Sequence, residues 1–134
     1  MPLFDDNVLT SLTGTELGGP GSDFVIVEWT DSGESEWEWI APLHVHHADD
    51  EAWYVLEGAL GFVRGDERLR AAAGTAVLVR RGAPHSYWNA NAGLTRYVIV
   101  MTPRIAALVD AVHRPEAHGR VHELFREHAS ELLT

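Results

Sequence analysis

His44 and His46 flank a single valine. Residues i and i+2 of an extended strand point to one face, so these two imidazoles project together. Paired imidazoles suit a divalent metal. Ala48-Asp49-Asp50 is a short polar turn, and Glu51 begins the run after it. An antiparallel pairing of that run with the first returns the Glu51 carboxylate to the same pocket. Two His and one carboxylate on a shared face leave positions open for substrate or dioxygen. A second segment, Gly74 to Asn89, carries His85 after a Gly/Pro turn, with Tyr87 and Asn89 on the same face. Tyr87 is the extra acid–base candidate, because a phenol near a metal donates or accepts a proton. Asn89 reads as a turn-fixing residue.

The neighbours divide by parity. Trp53 and Val55 share the face of Glu51, so they are candidates for the pocket wall, with ordinary core as the competing reading. His47 should point away from His46 and serve structure. Asp49 and Asp50 read as a solvated turn. Pro42 can reset the register after Trp37 and Trp39, so the face of those two is open. His113, His118, His122 and His128 fall in the tail and read as exposed; His118 and His122, one turn apart, are placed to pick up stray metal.

The elements that must hold these residues are short and β-rich. Strands are expected at about 24–30, 36–41, 43–47, 52–57, 59–64, 67–72, 76–80, 84–89 and 95–102. Glu57-Gly58-Ala59 and Arg64-Gly65-Asp66-Glu67 read as tight hairpin turns. Many close-spaced strands without helices between them indicate an all-β antiparallel sandwich or barrel. Residues 1–22 are a weakly patterned arm, 23–102 the barrel and 103–134 a C-terminal helical segment, one domain overall. Thr102-Pro103 is a helix start, with Thr as cap and Pro in the first turn. Ile105, Leu108, Val109 and Val112 then share a helix face. Val121, Leu124, Phe125 and Leu132 make a second one. These helices are expected to cover the barrel or to mediate dimer contacts.

Composition excludes several chemistries. The chain has 134 residues, a net charge of -10 and no Cys. That leaves no disulfide, thiolate nucleophile or iron–sulfur cluster. All ten basic residues are Arg, so there is no Schiff-base lysine and no Walker-type phosphate loop. The acidic balance argues against nucleic acid or an anionic membrane as partner. No apolar run is long enough to span a bilayer and the start lacks a basic signal-peptide region, so a cytoplasmic protein is expected. The Lys-free, Arg- and Ala-rich composition points to a bacterial source.

The spacing H-x-H-x4-E-x6-G from His44 to Gly58, followed by G-x7-G-x2-H-x3-N from Gly74 to Asn89, resembles the two motifs of the cupin family. The resemblance covers roughly residues 36–102, and its 15-residue gap between motifs is that of small bacterial cupins. Two positions depart from the pattern: Glu38 stands where the first motif begins with Gly, and Arg80 where the second carries Pro. Neither supplies a ligand. The resemblance implies an antiparallel cupin β-barrel (a double-stranded β-helix or jelly roll) with metal inside one end. Carried over by position, the ligands are His44, His46, Glu51 and His85, holding one divalent Fe, Mn, Ni, Co, Cu or Zn ion. It also implies a homodimer.

Three neutral imidazoles and one carboxylate leave a divalent ion with one net positive charge, and six-coordination leaves two positions open. The first functional reading is a metal-dependent dioxygenase for an aromatic, phenolic or enolisable small molecule, on the resemblance to quercetinase-like cupins. Glu51 and Tyr87 are its catalytic candidates, and Trp53, Val55 and Tyr87 its pocket wall. Non-redox isomerase, cyclase or lyase chemistry is the alternative. A binding cupin without chemistry, or a vestigial site, is the third.

Overall fold

The computed structural model describes residues 8–12, 14–35 and 38–134. Ten strands and two α-helices appear among them. In chain order they are β1 (Glu16–Leu17), β2 (Val25–Asp31), β3 (Ala41–His46), β4 (Glu51–Glu57), β5 (Ala59–Arg64), β6 (Glu67–Ala72), β7 (Ala76–Val79), β8 (His85–Asn89), β9 (Thr95–Met101), α1 (Pro103–Val112), a 3-10 turn at Pro115–Ala117, α2 (Val121–Glu127) and β10 (Ser130–Leu132). One antiparallel sheet runs β1-β2-β9-β4-β7 and the other β10-β3-β8-β5-β6. The two form a β-barrel with the helices packed on it.

Alternation builds the interior. Glu51, Trp53 and Val55 of β4 are buried, as are Thr95, Tyr97, Ile99 and Met101 of β9 and His85 and Tyr87 of β8. Each faces inward because side chains on a strand alternate. The barrel core is aromatic: Phe62 stacks on Tyr87 at 5.7 Å, and Trp53 meets both edge-on. Each such apolar side chain contributes roughly 1.5–3 kcal/mol on full burial.

Turns set the register. Gly58 adopts φ +81° between β4 and β5, and a Cβ there would lie 2.4 Å from Thr95 Oγ1. Arg64 pairs with Glu67 across the Gly65-Asp66 turn. Asn89 fixes its turn from both ends: its Oδ1 accepts from Asn91 N and Thr95 Oγ1, and its Nδ2 donates to Asp31 and the Gly93 carbonyl. Thr102 caps α1 by accepting from Ile105 N at 3.2 Å.

Three expectations need correction. The strand expected at 36–41 begins only at Ala41; residues 38–40 are not extended-paired, and Glu36 and Trp37, with the question of where Trp37 faces, lie outside the described residues. Pro42 lacks an N–H, and the β3–β8 register shifts between Ala41 and His44. The segment 103–134 is not wholly helical either. After α2 the chain turns at Ala129, the non-glycine residue with positive φ (53°) among those described, and β10 adds to the barrel edge beside β3. Leu132 therefore sits on a strand rather than on the face of α2. The 1–22 arm also contributes the short β1, paired with β2. Among the described residues no helix is long and apolar enough to cross a membrane.

Candidate metal centre

The two sheets bring four donors to one place. β3 supplies His44 and His46, β8 opens on His85, and β4, in the facing sheet, opens on Glu51. His44 and His85 are register partners, with ring centroids 4.2 Å apart. His46 lies 4.8 Å from His44 and 5.3 Å from His85. One ligand atom from each of the four lies within 4.8 Å of the others, and all four residues are buried.

Each imidazole is held by its other nitrogen. His44 Nδ1 is 2.6 Å from the Pro42 carbonyl and His85 Nδ1 is 3.0 Å from the Ala83 carbonyl. A carbonyl only accepts, so both rings carry their proton on Nδ1 and turn Nε2 inward. His46 Nδ1 is 2.7 Å from Ser130 Oγ. Two of the remaining nitrogens converge on a carboxylate: Glu51 Oε1 lies 3.3 Å from His46 Nε2 and 3.4 Å from His85 Nε2. Glu51 Oε1 and His85 Nε2 are buried without a hydrogen-bond partner. Buried lone pairs facing one another are costly unless positive charge sits among them. A cation at the centre answers that demand, so the donor set fits a divalent metal with N3O ligation.

Electrostatics point the same way. Burial, with His85 and His46 alongside, pushes the His44 imidazole down to about 4, which keeps it neutral and able to ligate at pH 7. Burial raises the Glu51 carboxyl, and positive charge shared with the Nε2 atoms of His46 and His85 is what lowers it, so the carboxylate stays ionised in this buried place when such charge lies among the donors. Burial pushes the Tyr87 phenol well above its ordinary value, with the Tyr97 hydroxyl 3.4 Å away. Tyr87 is thus a neutral hydrogen-bond donor rather than a base.

Above the donors lies an apolar cavity of about 270 Å³. His44, His46, Glu51 and Tyr87 form its polar end. Trp29 and Ile99 from the barrel, Ile105 and Leu108 from α1, and Phe125 from α2 wall it, and His113 stands at its rim. Trp53 and Val55 do not line it. They face inward, as their parity requires, but are 1% and 0% exposed in the barrel core, where Trp53 packs edge-on to His85 at 5.9 Å. His47 is exposed and near Glu131. Asp49 is not solvated: it is 8% exposed and faces Arg104 at 3.5 Å, while Asp50 holds the Arg81 amide and guanidinium. His122 is engaged by the Thr134 carbonyl.

Ser130, Phe125 and the helix residues over the cavity were not among the sequence candidates. Phe125 meets the His44 ring edge-on at 5.7 Å. The helical periodicity of Ile105 and Leu108 points to a cover for the barrel but does not say that they roof a cavity over the donors.

No curated protein sequence matches the chain. The cupin domain family matches residues 36–101. Among solved structures, TT1209 from Thermus thermophilus is 27% identical with a TM-score of 0.51, over 60% of this chain and 73% of that one. The polyketide cyclase RemF from Streptomyces resistomycificus is 27% identical with a TM-score of 0.52, over 66% of this chain and 63% of RemF. The cupin domain of Schizosaccharomyces pombe Cnp3 shares the fold at 14% identity, with a TM-score of 0.57 over 80% of this chain and 65% of that one.

Proposed function

This chain is a small cupin-domain protein, and we propose that it is a metal-dependent enzyme acting on an aromatic, phenolic or enolisable small molecule, with dioxygenase chemistry as the first reading. The observation that carries this is the placement of three imidazoles and one carboxylate at the polar end of an otherwise apolar cavity. A metal held by His44, His46, Glu51 and His85 supplies Lewis acidity, which lowers the pKa of an enol or phenol, and open positions for substrate and dioxygen.

The chain's own residues do the rest. Trp29, Phe125 and the aliphatic side chains of α1 give a planar apolar molecule its binding energy and exclude water. The cavity suits a compact molecule rather than a polymer. Tyr87, neutral and buried, donates a hydrogen bond to developing negative charge on the substrate oxygen. The Nδ1 anchors keep His44 and His85 turned towards the centre, so no reorganisation is needed on binding.

The likeness to RemF, a polyketide cyclase, supports a second, non-redox reading in which the same site promotes cyclisation of an enolisable substrate. The test begins with elemental analysis of protein purified without chelator. Oxygen uptake is then measured with flavonols, phenols and β-diketones, in air and under nitrogen. Metal-dependent, oxygen-consuming turnover supports the dioxygenase. Turnover that persists under nitrogen replaces it with the cyclase reading. Metal-stripped protein that turns over unchanged overturns both.

A further inference from the structure

We propose that Ser130 is a positioning residue of the metal centre, so that the site is completed by a strand outside the two-motif segment. This rests on the metal reading of the four donors. His44 and His85 each find an acceptor two residues back in their own chain, the carbonyls of Pro42 and Ala83. His46 finds its partner 84 residues away, at Ser130 Oγ, 2.7 Å from Nδ1.

The direction of that bond follows from the next one. Ser130 Oγ donates to the His128 carbonyl at 3.0 Å. A hydroxyl has one proton, so towards His46 it accepts. His46 then carries its proton on Nδ1 and presents a lone pair at Nε2, the nitrogen that faces Glu51. Without Ser130, the carboxylate is the one strong acceptor for this imidazole and draws the proton to Nε2, the nitrogen needed for ligation. Ser130 is buried, at 2% exposure, and is the register partner of His46 across β10 and β3. The strand is held there by main-chain bonds on either side: His47 N to the Ala129 carbonyl and Leu133 N to the Leu43 carbonyl. The left-handed Ala129 is what redirects the chain from α2 into that register.

Zinc affinity of the full chain, Ser130→Ala and Ser130→Thr, measured by competition with a chromogenic chelator, tests this. Nitrogen–proton correlation spectra of the zinc-loaded proteins report the His46 ring. The expected results are a roughly ten- to hundredfold loss of zinc affinity in Ser130→Ala, a shifted and faster-exchanging His46 Nδ1–H signal, and recovery of both by Ser130→Thr. A folded Ser130→Ala with wild-type affinity overturns the proposal. Zinc held through Nδ1 of His46 in the wild type also overturns it, a readout that needs no variant to fold. Wild-type protein that binds no zinc is the distinct outcome that removes the metal reading itself, and this inference with it.

Discussion

His46 and Glu51 lie five residues apart in the chain yet on opposite sheets, with Nε2 and Oε1 3.3 Å from each other. The Asp49-Asp50 turn between them is the corner where the chain crosses from one sheet to the other. Asp49 is buried against Arg104, and Asp50 is tied to the Arg81 amide, so the corner is braced from both sides. That bracing sets how close the carboxylate comes to the imidazoles.

Removing the charge but not the shape of this carboxylate is the sharpest probe of the donor set. Glu51→Gln should lower affinity for zinc or cobalt by roughly a hundredfold or more, since a neutral amide is a poor fourth ligand. Isothermal calorimetry reads this directly. Tight binding in the variant would place the ion elsewhere.

Acid should weaken the metal-free protein through His44. Its imidazole is held at about 4 in the fold, against 6.5 when free. A group depressed in this way excludes a proton that the unfolded chain accepts. Its contribution is therefore complete above pH 6.5 and is lost as the pH falls from there towards 4, by about 3 kcal/mol. Urea unfolding of metal-free protein at pH 7.5 and pH 5 should show most of that loss, and His44→Gln should flatten the dependence.

Tyr87→Phe separates chemistry from packing. The ring stacks on Phe62 with or without its hydroxyl, and Tyr87 is not among the four donors. Metal content and melting temperature should therefore change little. Turnover should fall by about ten- to a hundredfold if the phenol donates to substrate. An unchanged kcat would reduce Tyr87 to a wall.

Gly58→Ala should cost about 2 kcal/mol or more in thermal or urea unfolding. The new methyl group would need a left-handed backbone and would meet Thr95 Oγ1 at 2.4 Å. That hydroxyl is part of the Asn89 network, so the damage should spread to the β8–β9 turn. A variant as stable as the parent would show that the turn can refold around it.

His44 and His46 could be paired in the sequence because alternation on a strand is strictly two-residue; the full set with Glu51 and His85 came from the resemblance to the two cupin motifs. The same rule put Trp53 and Val55 on the inward face, and they are there. It could not say that they sit beneath the donors in the core rather than above them at the cavity, because parity fixes the side of a sheet but not the depth along a barrel. Asp49 looked like a solvated turn residue because its burial depends on Arg104, far along the chain. Leu132 reads as part of a helix face, and Ser130 gives no signal, because a three-residue strand leaves no periodicity of its own. Their place is set by pairing with β3. What was legible was local geometry; what was not was contact made only after the sheets and the tail had come together.

Three donors belong to one sheet and the fourth to its neighbour. An ion gripping all four would be a rivet between the two halves of the barrel. In a chain without cysteine, it is the nearest thing to a cross-link, and one that a chelator can undo under mild conditions. Stripping the ion would then leave the two sheets held at that end by packing and the braced Asp49-Asp50 corner, so the cavity and its helical roof should loosen before the rest of the barrel does.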